Sequence, residues 1–525
     1  MANNLFDAVK EVDNATITTN GMAAWKSTLS NVLDLFAMGS SYRKNPGAIR
    51  KIVRDAYLED KLSTIRCLFY LRDIRGNGGQ GEREVFRNGI REVAELDTKT
   101  FINSNIISHI PTFGRWDDLF SLFDISAELD SQIINFINEQ LKEDIKAYLN
   151  NKSSEKKMPV SIMAKWLPSC NTSSKKTRRL AKKLYTTLGL SESRYRKMLS
   201  NLRKQIGILE TYLTNKDYTF DYSAVPSNAN MKYRKCFYEK DGERYKAHVE
   251  AVTKVLDSNE PITRGMPKDN VKTLYPYEIV SNFYNTDGWR INDASISNIE
   301  KQRYENMWKQ LPNYFGEASN KNWIAVIDTS GSMFMSKKPS PIDVAISLGI
   351  YIGERNTGIF KDKYITFSSR PSFVEVNGSW SLEKKVKHII SKSIVDDTNL
   401  IGVYELILKA AKSHNLPVKE MPEAIVMISD MQFNSCVEDG ENDTAYRKIN
   451  KMYSSAGYPV PKLIFWNVAQ NDYGNLPVTQ HEKGAILVGG CKPGMFEQIL
   501  SGKTPADFMM TILNGERYGV ITISE

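Results

Sequence analysis

The chain has 525 residues, too many for one hydrophobic core, so two or more domains are expected. Hydrophobic residues at 41% and aromatics at 10% exclude a disordered chain, and a net charge of +9 favours acidic or phosphate-bearing partners. The scattered Cys67, Cys170, Cys236, Cys436 and Cys491 form no C-x-x-C pair, which argues against a zinc or disulfide framework.

No apolar run approaches the ~20 residues of a membrane helix. Met1-Ala2-Asn3-Asn4 has neither the basic start nor the apolar stretch of a signal peptide. A cytoplasmic protein with no membrane contact is expected.

In chain order, residues 1–317 read as all-helical. Apolar residues recur at three- and four-residue spacing over Ala23 to Met38, Ala48 to Arg72, Arg83 to Glu95 and Ile133 to Leu149. Helix pairs of about 40 residues suit a degenerate, HEAT-like helical-repeat array, whose concave surface fits an extended partner. The loop Gly76 to Gly81 has no Lys-Ser/Thr after it, so it is not a P-loop. Arg72, Arg75 and Arg83 around it either touch a nucleic-acid backbone or pair with acids such as Asp73. Arg115, Trp116 and Asp117 read as a helix junction. Gly502-Lys503-Thr504 lacks the earlier glycine of a P-loop and reads as a loop.

Between Asn171 and Ile206 lie eleven basic residues and one acid, Glu192. The basic residues are Lys175, Lys176, Arg178, Arg179, Lys182, Lys183, Arg194, Arg196, Lys197, Arg203 and Lys204. Tyr185 and Tyr195 are interleaved with them. Such an imbalance points to nucleic-acid phosphates, with stacking on the tyrosines; a plain solvated helix face is the alternative.

Residues 318–525 alternate strands with helices. Trp323 to Ile327, Lys363 to Phe367, Ala424 to Asp430, Leu463 to Val468 and Ala485 to Val488 read as strands. Pro341 to Arg355, Leu382 to Ile390, Leu400 to Ala411, Phe496 to Ile499 and Pro505 to Leu513 read as helices. Near-continuous apolar strands fit a doubly wound, mostly parallel, Rossmann-like sheet covered on both faces. The first strand ends in Asp328-Thr329-Ser330-Gly331-Ser332. The loop Asp396-Asp397-Thr398-Asn399 and the strand end Ser429-Asp430 follow. Ligands bind at the carboxyl ends of such strands, and these hard oxygen donors suit Mg²⁺ or Mn²⁺. With no H-E-x-x-H, no G-x-S-x-G and scattered histidines, no catalytic residue is assigned and an enzyme is not expected.

The three segments, in this order, resemble the metal-ion-dependent adhesion site of von Willebrand factor A domains. That resemblance implies Ser330, Ser332 and Thr398 as direct or near-direct ligands. Asp328 and Asp430 would act mostly through water, and the bound metal would capture an acidic group of a protein partner.

Seven further segments carry a wider resemblance: Phe69 to Gly79, Gly81-Glu82-Arg83, Phe113 to Leu119, Ala164 to Ser169, Tyr195 to Leu199, Met231 to Phe237 and Leu274 to Val280. With the C-terminal region they are similar to uncharacterised relatives of the Ro autoantigen, the TROVE family. That implies a ring of helical repeats closed by an A-type domain. It implies a ribonucleoprotein whose ring binds small structured non-coding RNA on a basic face and single-stranded ends in its hole. A metal-dependent protein-interaction module without RNA is the alternative.

Overall fold

A computed structural model of the chain describes residues 13–17, 23–76, 78–287, 290–316, 322–334, 339–393, 398–432, 445–469, 476–496, 499 and 503–524. The first part is mostly helical. Ser30 accepts a hydrogen bond from Leu33 N and starts the helix Asn31–Met38. Asn45 caps Pro46–Glu59, with proline at the first turn where its missing N–H costs nothing. Asp60 is extended at φ −151° and caps Lys61–Arg72 through Ser63 N, so the helix expected over 48–72 is two. Arg83–Leu96 follows as expected, and the stretch expected over 133–149 lies inside the longer helix Ala127–Ser153.

Two hairpins correct the all-helical expectation for residues 1–317. Strand β1 (Ala15–Ile17) pairs antiparallel with β2 (Ala23–Trp25). Trp25 and Leu476 also exchange backbone hydrogen bonds of 2.9 Å. Ala23 to Met38 therefore does not form one helix: its first residues pair with β1, and Trp25 also bridges to a partner some 450 residues away in the chain. Strands β3 (Tyr284–Asp287) and β4 (Arg290–Asp293) form the second hairpin. The boundary expected at 317–318 lies outside the described residues.

The second part is a six-stranded sheet of β5 (Trp323–Asp328), β6 (Lys363–Phe367), β7 (Phe373–Glu375), β8 (Ala424–Ser429), β9 (Lys462–Asn467) and β10 (Ala485–Gly489). Its order is β10-β9-β8-β5-β6-β7, parallel except for the antiparallel edge strand β7. Side chains alternate between faces. Trp323, Ala325 and Ile327 pack with Val344, Leu348 and Tyr351 of the helix Pro341–Arg355. Ile324 and Val326 point the other way, with Val403, Ile407, Ile449 and Tyr453 of the helices Leu400–Ser413 and Ala445–Ser455. Burial on both faces explains the unbroken apolar runs. The helix expected at 496–499 falls largely outside the described residues.

The sheet core continues into the helical part. Phe315 stacks on Phe496 at 4.7 Å, and Tyr351 donates to Pro312 O at 2.6 Å. Beyond the last sheet helix, Pro505–Leu513, the chain crosses back onto the first helices. There Arg66 donates to Ile521 O at 3.1 Å, and Arg517 pairs with Asp73 at 2.9 Å. No described helix is long and apolar enough to cross a membrane.

Candidate metal centre and basic helical surface

Strands β6 and β8 leave β5 on opposite sides, so the connections diverge at the carboxyl ends of β5 and β8. Such a switch point opens a crevice. Asp328 sits there, fully buried. Its Oδ1 accepts from Ser330 N at 2.8 Å and its Oδ2 from Ser429 Oγ at 2.6 Å. The hydroxyls of Ser330 and Ser332 lie 3.3 Å apart. Asp430, just past β8, accepts from Gln432 N at 3.3 Å, and the Ser332 side chain hydrogen-bonds to it. Thr398 is buried one residue before Asn399, whose Oδ1 caps Leu400–Ser413 through Gly402 N. Asp396 and Asp397 lie outside the described residues.

Two carboxylates are thus buried side by side. Burial first, then the like charge of Asp430, pushes the Asp328 carboxyl up to about 7. Burial also raises Asp430, against the opposing hydrogen bonds from Ser332 and Gln432. Among the described residues neither carboxylate pairs with a lysine, arginine or histidine. Nor is any group of three or more His, Cys, Asp and Glu gathered there to hold a metal. The donor set is two carboxylates completed by hydroxyls. A divalent cation would favour the ionised form of both acids, and hard oxygens suit Mg²⁺.

Two residues were assigned no role by the sequence reading. Ser429 ends a strand of otherwise apolar residues and orients Asp328; a lone hydroxyl in a buried run was its only signal. Ser368 follows β6 and is 1% exposed. Its hydroxyl has no hydrogen-bond partner among the described residues. Nothing in the local sequence marks it.

The basic run forms two consecutive helices, Lys175–Thr187 and Glu192–Ile206. Lys175, Lys176, Arg178, Arg179, Lys182, Arg194, Arg196, Lys197 and Lys204 are exposed. Lys183 and Arg203 have structural partners instead. Lys183 bridges Asp124 and Asp130 at 2.7 and 2.5 Å. Arg203 donates to Ala164 O, Leu167 O and Ser169 Oγ at 2.8, 2.8 and 2.9 Å. Tyr195 is fully buried and donates to Pro168 O at 2.9 Å, so it offers no stacking face; Tyr185 packs against it, half-buried.

Arg72, Arg83 and Arg115, outside the basic run, have acidic partners as well. Arg72 is buried on Asp118 at 2.8 Å, and Arg83 pairs with Glu84. Arg115 holds Asp117 and lies 4.0 Å over the Trp166 ring, as a helix junction requires. Thr504 caps Pro505–Leu513, so Lys503-Thr504 leads into a helix, while Gly502 lies outside the described residues.

Residues 322–512 match the model of a domain of unknown function (DUF7788). Residues 127–319 match another (DUF2828). The chain is 27% identical over 521 residues to an uncharacterised protein of Acanthamoeba polyphaga mimivirus, covering 95% of this chain and 87% of that one. Among solved structures, the crystal structure of the Deinococcus radiodurans Ro (RSR) protein is similar at a TM-score of 0.38 and 11% identity. That likeness spans 93% of this chain and 100% of the other. The chain is therefore similar along nearly its whole length to a viral protein, and in two adjoining stretches to two domain models.

Proposed function

We propose that this protein is a non-catalytic, RNA-binding scaffold whose helical part grips RNA phosphates. The observation that carries this reading is the pair of helices Lys175–Thr187 and Glu192–Ile206, with nearly all their basic side chains in solvent and one acid among them. Exposed cations in such excess over acids attract phosphates and release counterions on binding. With Tyr195 buried, recognition rests on charge and shape rather than on base stacking there. The motif resemblance to TROVE proteins, with their helical-repeat ring, points the same way. The test is to crosslink the protein in the cells that express it and sequence what copurifies. Enriched RNA, crosslinked to peptides within 171–206, is expected. Absence of RNA above background would overturn the reading.

The α/β part supports a second role, favoured by the convergence of Asp328 and Asp430. Ser330, Ser332 and Thr398, with the two acids in support, would hold Mg²⁺ or Mn²⁺. The metal supplies a Lewis-acidic position for an acidic group of a partner protein. This is the adhesion-type arrangement of a von Willebrand factor A-like domain. Without RNA, the same site makes the protein a metal-dependent interaction module. EDTA should then release an acidic partner that high salt leaves bound.

A further inference from the structure

A side chain of the helical part is linked by hydrogen bonds to the candidate metal loop. Tyr284, the first residue of β3, is buried, and its phenol donates a 2.6 Å hydrogen bond to Asp343 Oδ1. Asp343 lies in the first turn of Pro341–Arg355, where its Oδ2 accepts from Ser340 N at 3.4 Å. The Ser340 hydroxyl donates to Met333 O at 3.1 Å. Met333 N donates to Ser330 O at 3.1 Å. Four hydrogen bonds thus run from the β3–β4 hairpin to the turn that carries Ser330 and Ser332.

We propose that Tyr284 is a positioning residue that couples the β3–β4 hairpin of the helical part to cation occupancy at the Asp328–Asp430 site. The inference rests on the cation reading given above. Three facts support it. Burial, and behind it the charge of Asp343, holds the phenol well above its ordinary pKa, so Tyr284 is a standing donor. A hydrogen bond to a buried carboxylate is among the stronger kinds, and removing its donor leaves the acid short of a partner. Asp343 and Ser340 form a capping box that fixes the start of the helix, and Ser340 in turn bonds Met333 after β5. A shift at Asp343 is passed to Met333 and Ser330 rather than absorbed in solvent. Coupling between two sites is reciprocal, so the hairpin also responds to the ion.

Two measurements on the full chain test this. The first is calorimetry with MgCl₂ on the wild type and on Tyr284→Phe, with melting in EDTA to confirm folding. Binding to Tyr284→Phe should be about tenfold weaker, within the ~5–150-fold range usual for coupled sites. The second is amide exchange of residues 284–293 in the wild type, with and without Mg²⁺; exchange should slow when the ion binds. This arm decides the matter if Tyr284→Phe fails to fold. No heat with the wild type overturns the cation reading and the coupling together. Wild-type binding, with equal affinity in folded Tyr284→Phe or hairpin exchange indifferent to Mg²⁺, overturns the coupling alone.

Discussion

The Ser429 hydroxyl donates to Asp328 Oδ2 at 2.6 Å between neighbouring parallel strands, while Met431 N donates to that hydroxyl at 3.0 Å. The serine therefore has one accepting and one donating role, and its proton is committed to the carboxylate. Ser330 N holds the other oxygen. Asp328 is thereby fixed in one orientation at the head of the crevice.

Ser429→Ala should weaken Mg²⁺ binding about 10–100-fold, the usual cost of losing a partner that orients a metal-binding group. Asp328→Asn should abolish binding while the fold persists, because it removes one of two adjacent buried acids and keeps the side chain's shape. Calorimetry reads the first effect, and calorimetry with thermal melting reads the second. Unchanged affinity in either variant would contradict the site.

The pH dependence has a definite sign. Asp328 holds its proton to about pH 7 in the metal-free fold, against an ordinary value of 3.8. Between these values the folded chain binds more protons than the unfolded chain, so the stability contributed by this group falls as pH rises. A cation competes with the same proton, so Mg²⁺ affinity should climb from pH 6 and level off above about 7. Melting in EDTA and calorimetry across this window check both trends. Asp328→Asn should show a flatter stability profile; a slope equal to the wild type's would contradict the assignment.

Arg517→Ala should destabilise the protein by about 1–3 kcal/mol, the cost of leaving a buried polar group short of a partner. Asp73 is fully buried and accepts from Arg517 at 2.9 and 3.0 Å. Part of the effect is lost to solvent, since Arg517 is 39% exposed. Arg75 N and Gly76 N still hold Asp73 at 2.8 Å in the variant. Denaturant unfolding measures the change, and a stability equal to the wild type's would show that the returning C-terminal segment does not fasten the first helices.

Arg203→Ala should also act on stability, by about 1–3 kcal/mol, because three acceptors around residues 164–169 lose their donor. At exposed Lys182→Ala the change should stay within about 0.5 kcal/mol. Comparing the two unfolding curves separates the structural cations from the solvated ones. Equal effects would mean that the partners of Arg203 contribute nothing.

The sheet region was legible because its signals are local. Pro341 marks a helix start, and the observed helix Pro341–Arg355 and strand Lys363–Phe367 keep the expected bounds. Asp328 and Asp430 stand out as acids at the ends of apolar runs. What failed depended on distant partners. Trp25 is strand because it pairs with Ala15 on one side and bridges to Leu476 on the other, and the second partner is one that no window around Ala23 reveals. Lys183 and Arg203 looked like the other cations of their run, since Asp124, Asp130 and the carbonyls near Ala164 lie dozens of residues away. Tyr195 has helical spacing equally suited to core or surface, and packing put it in the core.

The central claim is that the exposed cations of 175–204 bind RNA phosphates. It is tested most directly by filter binding of a random RNA pool at several salt concentrations, with wild type and a Lys182→Glu, Arg196→Glu, Lys197→Glu variant. For the wild type, affinity should fall by about 0.7–0.9 log units per log unit of salt for each phosphate neutralised. The variant should bind all sequences more weakly, with a shallower slope. Equal affinities and equal slopes for the two proteins would contradict the RNA reading and leave the metal-dependent interaction module as the account.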